Sequence, residues 1–191
     1  MREKWIVETK KGDFNGLSAK LKVSPLAVRC LMNRGVESEQ EMREFLYGTL
    51  DDLHDPFLMK GMDEAVREIV KAKEQGRKVA IASDFDCDGI FSAYILWKGF
   101  QKIGLDSEIF TPDRVKEGYG LNRRIVDEAL AGGRDFLVTC DNGIAANEEV
   151  DYAKKLGMTV IVTDHHEVQE QMPNADATLD PKRRLECLES C

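Results

Sequence analysis

The sequence predicts an α/β protein, with a doubly wound, mainly parallel sheet behind a small helical N-terminal region. From Met62 onward, short apolar segments alternate with helical patterns of about 10 to 15 residues, as in parallel strands joined by helical crossovers. The apolar segments are continuous rather than alternating, which is typical of strands covered on both faces. We therefore expect residues 1–60 to form the helical region and residues 61–191 to form the sheet domain.

Two helices are predicted in the N-terminal region. Residues 24–35, SPLAVRCLMNRG, open on a serine N-cap and a proline at the first helical position, and they end in glycine. Residues 38–48, SEQEMREFLYG, have a serine and a glutamate in capping-box spacing. The period of this second helix places Met42, Phe45 and Leu46 on one face.

The second region contains four predicted helices and four predicted strands. A loop over residues 51–57 precedes them, because Pro56 interrupts regular structure. Helices are expected over residues 62–76, 89–104, 122–133 and 147–157, and strands over residues 78–83, 107–112, 135–140 and 158–163.

Composition narrows the class of protein. Of the 191 residues 42% are hydrophobic, enough to bury a core, and no apolar run approaches the roughly 18 residues of a membrane span. The first residues contain no apolar block of signal-peptide length, so a cytoplasmic location is expected. A net charge of −8 argues against a broad basic surface but permits a local basic groove. The five cysteines form no CxxC pair, which disfavours a zinc site.

Acidic residues directly follow three of the predicted strands. DFDCDG (residues 84–89) follows the first strand, Asp141 follows the third in TCDNG, and Asp164, His165 and His166 follow the fourth in TDHH. The carboxyl ends of parallel strands meet at one edge of a sheet, where such folds bind ligands. We therefore expect these side chains to converge, and carboxylates crowded together repel one another unless a cation is present.

The ligand types indicate which cation would bind. Carboxylates with one or two imidazoles suit Mn²⁺ or Mg²⁺, and also Fe²⁺ or Co²⁺. So many oxygen ligands favour two ions, which together can clamp a phosphoryl group for in-line attack.

DFDCDG also fits two other motifs. As a calcium-binding EF-hand loop beginning at Asp84, it would need glutamate at the twelfth position, where the chain has Ile95, so this interpretation is rejected. A phosphatase of the haloacid-dehalogenase type would use Asp86 and Asp88 in its D-x-D-G motif. That alternative leaves Asp84 and the TDHH segment unexplained.

DFDCDG, CDNG and DHH, in this order, resemble the first three motifs of the DHH phosphoesterase family. DDLHDPFLMKGMDEA, PDRVKEGYGL and ADATLDPKR are similar to the RecJ-type branch, the single-strand-specific DNA exonucleases. The resemblance implies a DHH-type domain and a hydrolase that uses two Mn²⁺ or Mg²⁺ ions. It also implies 5′→3′ digestion of single-stranded DNA to nucleoside 5′-monophosphates in recombination and repair, alongside DNA repair proteins as partners.

The resemblance assigns roles to individual residues. It implies four metal ligands, with the aspartate of CDNG bridging the two ions: Asp86, Asp88, Asp141 and His165. Asp84 would be a further ligand or would orient one. His166 would contact the scissile phosphate, and Asp164 would hold a histidine in its proper tautomer.

A basic and aromatic cluster lies in DRVKEGYGLNRR, where basic side chains flank Tyr119: Arg114, Lys116, Arg123 and Arg124. One interpretation is that the cluster contacts the backbone of single-stranded DNA and stacks on its bases. The other is a solvated helix start with Tyr119 packed inward, since Asp113 and Glu117 interrupt the positive charge.

The sequence also departs from the family pattern. The fourth motif of the family, another metal-binding aspartate, and its C-terminal DHHA1 domain are not found, and Asp180 before Pro181 does not match that motif. We therefore expect an incomplete DHH domain, weaker binding of the second ion and an exposed apolar face. Two other functions stay open: a phosphodiesterase acting on short oligonucleotides or small nucleotides, and a non-catalytic remnant that binds metal or nucleic acid.

Overall fold

The computed structural model describes residues 10–183. They form two compact units, which divide between Asp55 and Pro56. No helix within residues 10–183 is long and apolar enough to cross a lipid bilayer.

The first unit contains three helices: α1 (Phe14–Leu21), α2 (Pro25–Asn33) and α3 (Glu39–Tyr47). The predicted caps are present, since the Ser24 hydroxyl accepts a hydrogen bond from the Ala27 amide and Ser38 forms a capping box with Glu41. Buried apolar side chains from all three helices form the core of this unit: Leu21, Val28, Leu31, Met32 and Met42.

Two details of this unit differ from the prediction. Helix α1 was not predicted individually, since its sequence FNGLSAKL contains a glycine and only a short apolar pattern. Phe45 was expected to share one face of α3 with Met42, but Phe45 is 65% exposed whereas Met42 is fully buried. The α3 face that packs inward is therefore narrower than the sequence period suggested.

The second unit is built on a five-stranded parallel sheet in the order β2-β1-β3-β4-β5. Its strands are β1 (Val79–Ser83), β2 (Ser107–Phe110), β3 (Phe136–Cys140), β4 (Thr159–Thr163) and β5 (Ala177–Leu179). In β1 and β3 every residue is buried, which agrees with their continuous apolar sequences.

Helices cover both faces of this sheet: α4 (Met62–Glu74), α5 (Cys87–Lys102), α6 (Arg123–Ala131) and α7 (Asn147–Lys155). Val79, Ile81 and Val138 belong to the core shared with α4 and α5. Ala80 and Leu137 point to the opposite face and belong to the core shared with α6 and α7. The predicted doubly wound α/β domain is confirmed.

The strand order decides where a ligand can bind. The chain moves outward from β1 to β2 and then crosses back to β3 on the other side of β1. The crevice between the carboxyl ends of two strands that lead in opposite directions is the usual binding position in such folds. Here it lies between the ends of β1 and β3.

Three further elements were not predicted. Strand β5 has only three residues, so no clear pattern marks it in the sequence, and it pairs with β4 at the edge of the sheet. Two short 3₁₀ turns, Leu50–Asp52 and Pro56–Leu58, lie where a loop was expected.

Candidate metal centre

The first acidic segment is shaped by the step from β1 into α5. Asp84 directly follows β1 and is 1% exposed. Asp86 is the N-cap of α5 and accepts a hydrogen bond of 3.0 Å from the Gly89 amide, which lowers the pKa of the Asp86 carboxyl. Gly89 itself passes so close to the backbone of Asp84 that any side chain there would overlap it. The final glycine of DFDCDG therefore allows α5 to start directly above Asp84.

The second segment turns sharply at the end of β3. Asp141 has a left-handed backbone, with φ of 61°, a conformation that aspartate tolerates better than most residues. Next to it, the side-chain Nδ2 of the buried Asn142 donates hydrogen bonds to the carbonyls of Cys140, at 2.9 Å, and Ala82, at 3.1 Å. These bonds tie the end of β3 to β1 and hold Asp141 toward the crevice.

The third segment is organised by Asp164, which follows β4 and is 8% exposed. Its carboxylate accepts hydrogen bonds from the Ile144 amide at 2.9 Å, the His165 amide at 2.7 Å and His166 Nδ1 at 2.7 Å. Burial raises the pKa of Asp164, but these hydrogen bonds outweigh burial and leave the pKa below its usual range. In return, the bond to Asp164 raises the pKa of His166.

The three segments converge on Asp141. Ligand atoms of Asp84, Asp86 and Asp141 lie within 4.8 Å of one another, and so do those of Asp141, His165 and His166. His165 Nε2 is 2.8 Å from Asp141 Oδ1. Asp141 belongs to both groups of candidate metal ligands.

The protonation behaviour of Asp141 fits a cation site. Burial raises its pKa, His165 opposes that rise, and the neighbouring carboxylate of Asp86 adds to it. Burial and a neighbouring like charge disfavour the charged form of a carboxyl group, and a bound cation stabilises that form. Oxygen ligands with added imidazole nitrogen suit Mn²⁺.

Asp88 and Asp180 lie at the same edge of the sheet. Asp88, in the first turn of α5, is outside both groups of three but lines one cavity with Asp141 and His165. Asp180 directly follows β5 and is 1% exposed, and its Oδ1 accepts a hydrogen bond from the Lys182 amide. Asp180 belongs to neither group of three.

The loop around Tyr119 reaches into this centre. The Tyr119 hydroxyl donates a hydrogen bond of 2.7 Å to the carbonyl of Asp141 and lies 3.2 Å from His166 Nδ1. Burial and the surrounding carboxylates raise the pKa of Tyr119. The next amide, of Gly120, donates to Asp84 at 3.4 Å. The loop thus connects the first acidic segment to the second, a role that the sequence did not indicate.

The arginines predicted to bind substrate differ in their surroundings. Arg124 pairs with Glu117 and Glu128, each at 2.7 Å, and this pairing lowers the pKa of Glu117 to about 2. Arg123 lies over the ring of Tyr152, and Arg114 lies 5.0 Å from the ring centre of Phe85 in DFDCDG. Arg114 therefore sits beside the first acidic segment, whereas the charge of Arg124 is balanced within the protein.

The ring of Tyr119 combines features of both interpretations of its sequence. Its hydroxyl points inward, yet the residue is 54% exposed, and its ring meets the ring of His166 edge-on at 5.6 Å. Part of the ring is therefore accessible to a ligand beside His166.

Comparison with known proteins places these motifs in a wider group. Residues 78–189 match the model of the DHH family, N-terminal domain. The single-stranded-DNA-specific exonuclease RecJ of Bacillus subtilis is 36% identical over 181 residues, which are 94% of this chain and 23% of that protein. RecJ of Salmonella typhimurium is 37% identical over 161 residues, 84% of this chain and 27% of that protein. The chain thus spans about a quarter of the length of these relatives.

Solved structures are similar in fold as well. A crystal structure of exonuclease RecJ bound to manganese superposes with a TM-score of 0.62 at 33% identity, covering 67% of this chain and 33% of that one. RecJ from Thermus thermophilus in complex with Mn²⁺ gives a TM-score of 0.63 at 27% identity, covering 88% of this chain and 23% of that one. These matches confirm the resemblance inferred from DFDCDG, CDNG and DHH, and manganese is one of the two expected metals.

Proposed function

Because the chain belongs to the DHH family, we propose that it is the metal-binding portion of a single-stranded-DNA-specific exonuclease. The observation that carries this proposal is that Asp141 belongs to two groups of residues that could each hold a metal ion. The proposed reaction is hydrolysis of phosphodiester bonds from the 5′ end, releasing nucleoside 5′-monophosphates. The proposed setting is recombination and repair in the cytoplasm, together with other repair proteins.

The proposed ligands divide between two ions. Asp84 and Asp86 would hold one ion, His165 would hold the other, and Asp141 would contact both, with Asp88 as an additional ligand beside the cavity. When bound, two divalent ions would polarise the phosphodiester and lower the pKa of an attacking water.

The remaining residues act on the substrate or on the ligands. Asp164 holds Nδ1 of His166 and raises the pKa of that ring, so the imidazole is suited to contact a phosphate oxygen as its negative charge develops. Arg114 is placed to contact the DNA backbone near DFDCDG, and the exposed face of Tyr119 is placed to stack on a base. We assign Arg124 and Arg123 weaker roles in binding, because their guanidinium groups are engaged by Glu117 and Tyr152.

A direct test uses the purified chain with Mn²⁺ and single-stranded DNA labelled at either end. We expect mononucleotides to be released first from the 5′ end, and Asp141→Asn to abolish that release. Asp151→Asn serves as the matched control, because Asp151 is an exposed aspartate on α7 outside the site. Equal activity of the wild type and Asp141→Asn would refute the proposed mechanism.

Metal binding should be measured separately by titration calorimetry with Mn²⁺. Two binding events in the wild type that are lost in Asp141→Asn, without turnover, would support the non-catalytic alternative. Cleavage limited to short oligonucleotides would support the phosphodiesterase alternative.

A further inference from the structure

The first two helices of the first unit are joined by a short, sharply bent turn. Only Lys22, Val23 and Ser24 separate α1 from α2. Lys22 has a left-handed backbone, with φ of 56°, and its amide donates a hydrogen bond to the carbonyl of Ser18. The Ser18 hydroxyl donates to the carbonyl of Val23 at 2.6 Å. Two packed helices with a three-residue turn form the framework of a helix-turn-helix motif, whose turn often contains glycine because of this backbone conformation.

One face of α2 is exposed. Val28 and Leu31 point into the core that α2 shares with α1 and α3. On the other side of the helix Leu26 is 69% exposed, and Arg29 and Cys30 are exposed as well. In helix-turn-helix proteins the second helix lies in the major groove of DNA. That groove is about 12 Å wide, enough to admit an α-helix.

The helix pair is basic although the whole chain is acidic. Residues 10–34 contain six lysines and arginines and a single aspartate, whereas the chain has a net charge of −8. Lys10 pairs with Glu37 at 2.7 Å, and Lys20 pairs with Glu39 at 3.0 Å. In the described part of the chain, no carboxylate lies within ion-pair distance of the other four: Lys11, Lys22, Arg29 and Arg34. These side chains are available to neutralise phosphates.

Two of the four basic side chains lie on the exposed side of α2. The guanidinium of Arg29 lies over the ring of Phe14, 4.6 Å from its centre. Arg34 Nη1 is 3.4 Å from the carbonyl oxygen of Cys30. The single aspartate of the helix pair, Asp13, is engaged as the N-cap of α1. The exposed side of α2 therefore carries two guanidinium groups whose charge no carboxylate pair balances.

We propose that the first unit binds double-stranded DNA, with the exposed face of α2 in the major groove. The start of α2 then faces the base edges, where Leu26 contacts a thymine methyl group and Arg29 contacts guanine. Lys22 before the helix and Arg34 after it contact phosphates. This site is in a different unit from the metal centre and needs no metal, so it goes beyond the proposed hydrolysis of single strands.

Duplex binding is measured without metal, so its result is independent of the nuclease assay. The full chain, in EDTA, is titrated into a labelled blunt-ended duplex of about 20 base pairs, roughly two helical turns. Fluorescence anisotropy is recorded at several salt concentrations. We expect saturable binding that weakens as salt is added, because phosphate contacts release counterions.

Matched variants identify the residues that bind. Arg29→Ala should weaken duplex binding at least about fivefold through loss of a base contact. Arg34→Ala should reduce the slope of log binding constant against log salt concentration by about 1. Both positions are exposed, so both variants should fold, which circular dichroism checks. Arg43→Ala is the control, because it removes the same charge from the same unit but Arg43 is paired with Glu39 on α3.

Two exposed cysteines locate the bound duplex. Cys30 lies on the exposed side of α2, and Cys87 lies in the second unit at the start of α5. The duplex should slow alkylation of Cys30 by iodoacetamide and leave the alkylation of Cys87 unchanged. Mass spectrometry of peptides from the treated chain measures both rates.

Several results would overturn the proposal. One is that the wild type does not bind the duplex, or that Arg29→Ala and Arg43→Ala bind it equally. Protection of Cys87 without Cys30 would place the duplex at the metal centre instead. A single strand that binds as tightly as the duplex and protects Cys30 equally would exclude recognition of a groove. Slow alkylation of Cys30 without DNA, together with a dimer in sedimentation velocity, would show that a second copy of the chain covers α2.

Discussion

At Gly89, the last residue of DFDCDG, a single added methyl group should strongly disturb the site. A Cβ built on Gly89 overlaps the carbonyl oxygen of Asp84 and lies 2.7 Å from its carbonyl carbon and 2.8 Å from its amide nitrogen. All three atoms belong to the backbone, so no side chain can rotate away. The start of α5 must therefore move by at least about 0.7 Å, the difference between 2.7 Å and the 3.4 Å at which ordinary contact begins.

The cost of Gly89→Ala follows from that movement. Forcing a group into packed structure costs about 1–3 kcal/mol, and disturbing the hydrogen bond from Gly89 to the Asp86 cap costs about 1 kcal/mol more. The higher helix propensity of alanine offsets about 1 kcal/mol of this loss. We expect a net loss of about 1–3 kcal/mol in the free energy of unfolding, and weaker Mn²⁺ binding because Asp86 moves with the helix.

Gly99→Ala provides a control within the same helix. A Cβ at Gly99 has no neighbour within 4 Å, so this variant should gain roughly 0.5–1 kcal/mol from helix propensity. Urea denaturation of both variants measures the free energies, and calorimetry measures Mn²⁺ affinity. If Gly89→Ala is as stable as Gly99→Ala and binds Mn²⁺ normally, the explanation given for this glycine is wrong.

Three further predictions concern the rest of the site. In metal-free protein, the pair of His166 and Asp164 should stabilise the fold most between about pH 4 and pH 6.5. The difference in stability between wild type and His166→Gln should shrink as the pH rises through the raised pKa of His166, or falls through the lowered pKa of Asp164. Tyr119→Phe should lose about 0.5–1.5 kcal/mol of stability with its hydrogen bond yet keep DNA affinity, whereas Tyr119→Leu should lose about 1–3 kcal/mol of DNA binding. Arg114→Ala should reduce the slope of log binding constant against log salt concentration by about 1, the contribution of one phosphate contact. Arg124→Ala should leave that slope unchanged.

Each of these predictions has a contrary outcome. A stability difference at His166 that is constant from pH 4 to pH 9 would contradict the ion pair. Equal DNA affinity of the two Tyr119 variants would exclude stacking on its ring. A similar fall in salt dependence for the Arg114 and Arg124 variants would show that the intramolecular ion pairs open when DNA binds.

The larger elements of the second unit could be predicted because the pattern of neighbouring residues is sufficient to define them. The apolar run of β1 and the helix period of α4 are properties of neighbouring residues, and they were confirmed by the structure. Strand β5 could not be predicted in this way, because three residues carry too little pattern and its pairing with β4 depends on distant parts of the chain. In the same way, the helix period of α3 placed Phe45 on one face with Met42 but did not show that Phe45 is 65% exposed, because burial depends on distant parts of the chain.

The sequence by itself determined that acidic segments would follow parallel strands and meet at one sheet edge, because strand direction and the position of Asp84, Asp141 and Asp164 are both local properties. Only the tertiary structure decided that β1 and β3 are neighbours, so that Asp141 belongs to two groups of candidate metal ligands. It also decided that the hydroxyl of Tyr119 points at the backbone of Asp141. These features arise from contacts between residues far apart in the chain, and such contacts leave no periodic pattern in the sequence.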